Sequence, residues 1–168
     1  RDSVSWYQAV AFSRWLDAKY RAAGLIGADV EIRLPLEWEW EYAARGSDGR
    51  EYPWGNGYRV GHANLDEQEK GVGPYFLYRT TAVGSYPQGV SPFGVHDLAG
   101  SVWEWCLNDY SPPEMLGINN GSSKVLRGGS FSSDLNYAAA SSRDDYSPYC
   151  GNDAPSVFGW CWRPLSRL

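Results

Sequence analysis

Asp97 and Glu104 flank the segment DLAGSVWEW, in which Gly100 and Val102 can turn backbone carbonyls inward. Oxygen-only donors of this mixed kind suit Ca2+, a hard cation that accepts carboxylates and carbonyls together. A plainer reading competes with it: Asp97 caps a turn and Glu104 pairs with an arginine such as Arg127. Other chemistry is sparse. The three cysteines, Cys106, Cys150 and Cys161, are an odd set without CxxC spacing, so neither a disulfide framework nor a zinc site is implied. The two histidines, His62 and His96, read as a loop residue and a core-edge residue. Asp144 and Asp145 are adjacent acids of the kind usually found solvated in a loop. No GxSxG, HExxH or phosphate-loop pattern is present. The expectation is a protein that binds rather than catalyses.

The candidate recognition chemistry lies near the C-terminus. Phe131 to Phe158, FSSDLNYAAASSRDDYSPYCGNDAPSVF, contains no Lys, Glu, Gln, Met or Trp, although these types fill 23 of residues 1–130. What remains is rich in Tyr, Ser and Asp. Tyr offers rigid contact area at little entropic cost, and short polar side chains adapt their hydrogen bonds, as in antibody paratopes. Phe131, Ser133, Leu135, Tyr137, Ser142, Asp144, Tyr146, Tyr149 and Asn152 are the expected contact residues. They alternate in places, which would put them on one exposed face. Arg127, Gly128 and Gly129, just upstream, are expected to be fixed scaffold.

Two helices and a few strands must position these groups. Residues 4–23 carry apolar positions at helical spacing (Trp6, Val10, Phe12, Trp15, Leu16, Tyr20), with Ser3 or Ser5 as cap and Gly24 and Gly27 as stops. A second helix is expected over residues 36–45, closed by Gly46, with Trp38, Glu41 and Tyr42 on one face and Trp40 and Ala44 on another. Strands are expected over residues 30–34, 102–106, 124–126 and 159–163. Residues 46–101 read mostly as loop, and so long a stretch without regular structure is functional or pinned by something. Trp38, Trp40, Trp54, Trp103 and Trp105 read as scaffold filling the core rather than as a carbohydrate platform.

The chain has 168 residues, enough for one domain with a real core. A net charge of -5 argues against a nucleic-acid face. No apolar run approaches the ~20 residues of a membrane span, so no membrane contact is expected of this segment. No signal pattern opens the chain, and the cysteine usage leans towards a reducing, cytoplasmic setting.

Several rare segments occur in one order: SVSWYQAVAFSRWL, IRLPLEWEWEYAARG, EYPWGN, VGSYP, SPFGVHDLAGSVWEW and VLRGGSF. With them the chain resembles the formylglycine-generating-enzyme (sulfatase-modifying factor) family. The resemblance implies an α+β, C-type-lectin-like fold with a small twisted antiparallel sheet, two helices and extensive ordered loops, normally preceded by further N-terminal strands. It also implies structural Ca2+ at Asp97, Gly100, Val102 and Glu104, all four of which match. A second family calcium site would use Asn64 and the Leu65 carbonyl, but its acidic partner near Tyr75 to Tyr78 is missing. Family oxidases hold copper through two cysteines just after the RGGS-aromatic motif; here Ser133 stands first and no cysteine follows until Cys150, so no copper is expected. Related iron enzymes need three histidines, and this chain has two. Members lacking the cysteines include the variable proteins of diversity-generating retroelements, whose hypervariable stretch follows RGGS. Their diversification replaces template adenines, and an AAC or AAT codon altered at its first two bases never yields Lys, Glu, Gln, Met or Trp. The resemblance therefore implies a diversified surface over residues 131–162 and an unknown protein or other macromolecule as ligand. The alternatives it leaves are an undiversified, non-catalytic domain of the family and, ranked behind that, a formylglycine-generating oxidase.

Overall fold

The structure is a computed structural model that describes residues 3–118 and 121–150. Helix α1 spans Trp6–Ala22 and is started by Ser5. The Gln8 amide donates to the Ser5 hydroxyl and the Ser5 amide to the Gln8 side chain, which satisfies two free helix-end donors reciprocally. Its buried stripe is Trp6, Ala9, Val10, Ser13 and Leu16. Phe12 and Trp15, expected on the apolar face, point outward instead, because at 3.6 residues per turn they fall roughly 100° and 160° round the helix from the middle of that stripe. Helix α2 spans Glu37–Arg45; Gly46 closes it at φ 66°, and Trp40, Ala43 and Ala44 are its buried face.

The sheet has three antiparallel strands in the order β1 (Glu104–Asp109), β2 (Lys124–Arg127) and β3 (Asp144–Tyr146). Glu104 lies opposite Arg127 and Trp105 opposite Leu126, and the register slips before Asp109 meets Lys124. Strand β1 begins later than the apolar pattern predicts. The Val102 amide bonds back to the Gly100 carbonyl at 2.9 Å, and Ser101 sits at φ 66°, so the chain is still turning there. Residues 30–34 do not form the expected strand. Ile32 and Leu34 are buried as a strand pattern requires, but the Ile32 amide donates to the Asp17 carboxylate at 2.9 Å rather than to a neighbouring strand. Asp144 and Asp145, read as solvated loop acids, are half-buried members of β3. The strand expected over 159–163 lies outside the described residues.

Tryptophans brace the interior. One cluster joins Trp6, Val10 and Leu34 to Trp103, Trp105 and Leu126, and a second joins Trp40 and Ala44 to Leu98, Cys106 and Val125. The buried indoles still find acceptors: Trp6 Nε1 donates to the Cys106 carbonyl at 2.8 Å and Trp105 Nε1 to that of Val4 at 2.9 Å. Trp38 departs from the scaffold expectation and stands in solvent, 55% exposed. The long loop is pinned by buried Glu67, which accepts from the Tyr58 hydroxyl at 2.6 Å and the amides of Gly61 (2.7 Å) and Tyr75 (3.3 Å). Burial and that bond push the Tyr58 phenol far above its ordinary range.

Candidate functional site

The carboxylate loop sits where α2 meets the start of β1. Glu104 is fully interior and accepts one hydrogen bond, from Trp40 Nε1 at 2.5 Å. Burial, with the nearby Asp97 charge, pushes its carboxyl up to about 8, the indole bond opposing. Asp97 Oδ2 accepts from the Gly84 amide at 2.7 Å, and Asp97 itself holds φ 61°. Gly100 at φ 72° fits against the Asn64 backbone so closely that a Cβ would lie 2.4 Å from the Asn64 oxygen. The pairing of Glu104 with Arg127 is not made, although the two are opposite each other across the strands. Arg127 instead bonds Glu41 at 2.7 Å and Glu37 at 3.3 Å and lies 5.0 Å over the Trp40 ring. Glu104 is thus left desolvated beside a second carboxylate with a single donor among the described residues, an arrangement that a cation would relieve. Among the described residues no three His, Cys, Asp or Glu side chains converge. A cation here would therefore have to take backbone oxygens, such as those of Gly100 and Val102, beside the two carboxylates, and that donor chemistry fits calcium.

The tract after Arg127 divides into inward and outward residues. Phe131 and Ser133, expected at the surface, are buried at 7% and 8% exposure. The Phe131 amide donates to the Ser101 carbonyl at 3.1 Å, while the Ser133 hydroxyl accepts from the Ser130 amide at 3.0 Å. The tract winds through turns up to β3 rather than running extended, so the expected alternation of faces does not apply. Ala138 and Ala140 are wholly interior, the latter held by its amide to the Glu51 carbonyl and by its carbonyl to Arg127. Leu135, Ser142, Asp144 and Tyr146 are half-buried. Tyr137 and Tyr149 are the outward aromatics, at 44% and 68%, each backed edgewise or tilted by a fixed ring, Trp103 at 5.6 Å and Tyr7 at 5.1 Å. Ser132, Asn136 and Ser141 are exposed as well and were not among the expected contacts. Only their position in the turns reveals them. Asn152 lies outside the described residues. Arg127, Gly128 and Gly129 are interior, with both glycines at positive φ.

Among the described residues donors for a redox metal do not assemble. Ser133 stands where the first copper thiolate is expected, and a hydroxyl hydrogen-bonded to Ser130 does not fit Cu(I). Cys106 is wholly buried, and desolvation pushes its thiol well above the usual range, which suits a core residue and not a nucleophile. His62 leans on Trp54 at 5.5 Å in the loop.

A family model, the sulfatase-modifying factor enzyme 1-like domain, matches residues 2–155. The chain is 36% identical over 151 residues to the formylglycine-generating enzyme of Streptomyces coelicolor, across 76% of this chain and 40% of that protein. It is 32% identical over 137 residues to the inactive C-alpha-formylglycine-generating enzyme 2 of Bos taurus, across 76% of this chain and 37% of that protein. Among solved structures it resembles Treponema denticola variable protein 1, with a TM-score of 0.64 and 27% identity over 88% of this chain and 65% of that one. The chain therefore spans about two-fifths of the length of these curated relatives. An enzyme and a protein named inactive match it about equally, so likeness alone assigns no activity. Two helices, a small antiparallel sheet, a tryptophan-braced core and the family match agree: the chain belongs to the sulfatase-modifying factor enzyme 1-like family and has its α+β, C-type-lectin-like fold.

Proposed function

We propose that this domain binds a macromolecular ligand, without catalysing a reaction, through the outward residues of the tract that begins at Phe131. The observation that carries this reading is the alphabet of that tract, free of Lys, Glu, Gln, Met and Trp from Phe131 to Phe158. Retroelement diversification at Asn codons produces that alphabet. Exposed Tyr137 and Tyr149, each supported by a fixed ring, supply rigid contact area, with Ser132, Asn136 and Ser141 as polar neighbours. Leu135, Ser142, Asp144 and Tyr146 remain partly accessible contributors. Phe131 and Ser133 act from the interior by holding the tract in place. The likeness to a protein called a variable protein supports the same reading. A net charge of -5 favours a protein ligand over nucleic acid.

Neighbouring DNA provides the test. A reverse-transcriptase gene and a template repeat differing from this tract at adenines are expected, with the differences concentrated at codons for exposed residues. Absence of the repeat would favour the undiversified family domain, and adenine differences spread evenly over Ala138, Ala140 and other buried positions would overturn the assignment of contacts to the outward residues. Copper-loaded protein offered cysteine-containing sulfatase peptides should leave the thiol unchanged; turnover would overturn the non-catalytic reading. Asp97, Glu104 and the Gly100 and Val102 carbonyls hold structural calcium in this proposal, stiffening the loop that supports β1.

A further inference from the structure

Under the long loop a stack of aromatic rings runs from the surface to a buried carboxylate. Tyr52 and Trp54 lie face to face, with ring centroids 5.0 Å apart and planes 3° apart. Tyr58 stands edge-on to both, 5.8 Å from Tyr52 and 6.1 Å from Trp54. Tyr52 is buried and Tyr58 half-buried, while Trp54 is partly open to solvent beside His62. Rings this close exchange electrons readily, because orbital overlap falls off exponentially with separation.

The three rings differ in what stands ready to take a proton. Trp54 Nε1 donates to the Gly57 carbonyl at 3.2 Å and the Tyr52 hydroxyl to the Leu135 carbonyl at 3.4 Å, and a carbonyl is no base. The Tyr58 hydroxyl donates to the Glu67 carboxylate at 2.6 Å, the length of a charge-assisted bond. Glu67 is 1% exposed, so a proton received there is kept from water. Burial holds the Tyr58 phenol far above its ordinary range, so no phenolate forms beforehand and an electron leaves this ring together with its proton. That departure also neutralises a desolvated carboxylate, which the interior favours.

We propose that Trp54, Tyr52 and Tyr58 form a one-electron relay in which Tyr58, with Glu67 as its base, is where an oxidising equivalent comes to rest. A peroxide-derived radical, such as carbonate radical, takes one electron from Trp54 and is itself reduced to its anion. Trp54 regains an electron from Tyr58, directly or across Tyr52. The Tyr58 O–H bond breaks, its proton passes to Glu67, and a neutral phenoxyl remains, hydrogen-bonded to the new carboxylic acid. The indole, whose oxidation would open its ring irreversibly, is spared. All four residues precede the tract at Phe131, so the relay does not depend on that tract being diversified.

The test is flash photolysis of the protein with tris(bipyridine)ruthenium and a cobalt(III) quencher, which together generate a one-electron oxidant in solution. Transient absorption follows indole and phenoxyl radicals, and time-resolved infrared follows the carboxyl group. A carboxylic-acid band should rise with a phenoxyl signal and decay with it, and D2O should slow both. Tyr58→Phe should abolish the band and prolong the indole radical, whereas Tyr137→Phe, at an exposed tyrosine, should change neither. Glu67→Gln should slow formation of this phenoxyl at least about a hundredfold, the usual contribution of a positioned base. Melting curves show whether the variants fold; should Glu67→Gln not fold, the wild-type band and Tyr58→Phe decide. A wild-type phenoxyl without the acid band, a band that survives Tyr58→Phe, or an unchanged rate in folded Glu67→Gln would overturn the proposal.

Discussion

Replacing Glu104 by Gln tests the electrostatics of the carboxylate loop most directly. In the metal-free fold the Glu104 carboxyl is raised from 4.5 to about 8 by burial and by Asp97. Its protonated form is therefore the one the fold tolerates. Below pH about 4.5 the group is neutral in both folded and unfolded chains, and its stabilising contribution is fully present. As pH rises towards 8 the unfolded chain releases the proton while the folded one keeps it, so stability falls by about 1.4 kcal/mol per pH unit. Across the window the loss sums to roughly 5 kcal/mol, levelling off above pH 8. Glutamine stays neutral and can still accept from Trp40, so Glu104→Gln should remove this slope and stabilise the metal-free protein at pH 8. Calcium binds the ionised form, so excess Ca2+ should flatten the wild-type slope and leave the variant unaffected. Urea unfolding followed by tryptophan fluorescence between pH 5 and 8.5, in EDTA and in Ca2+, measures all four cases. Parallel pH slopes for both proteins would refute the desolvation argument. A wild-type midpoint indifferent to EDTA and Ca2+ would remove the calcium site.

Three further outcomes follow from the packing. Arg127→Met should cost about 3 kcal/mol in urea unfolding, the low end for a broken buried pair, because Arg143 and Arg45 still neutralise Glu37 and Glu41. Phe131→Ala should cost about 3 kcal/mol, whereas Tyr137→Ala should cost under about 1 kcal/mol and act on ligand binding instead. Equal losses at the two positions would contradict the division of the tract into anchors and contacts. Gly100→Ala forces a Cβ to 2.4 Å from the Asn64 oxygen at φ 72°, so a loss of more than about 2 kcal/mol is expected, together with any calcium response.

Local signals in the sequence carried most of the scaffold. Ser5, Gly46 and the apolar spacing define both helices because caps and periodicity act within a few residues. RGGS and DLAGSVWEW marked the family because their glycines adopt conformations that few other residues tolerate.

Burial within the irregular tract was a different matter. Phe131 and Ser133 have the composition of surface contacts, but the turns after Gly129 fold them inward and leave Ser132 and Asn136 outside. Residues 30–34 have the pattern of a strand, yet their partner is the Asp17 side chain. Glu67 looks like any acidic loop residue until Tyr58, Gly61 and Tyr75 close around it. In each case the deciding contact joins residues whose separation follows no repeating period, so no local pattern encodes it. The sequence alone determined the family and the two helices; the tertiary structure decided which side chains face solvent, because burial in loops is set by what folds over them.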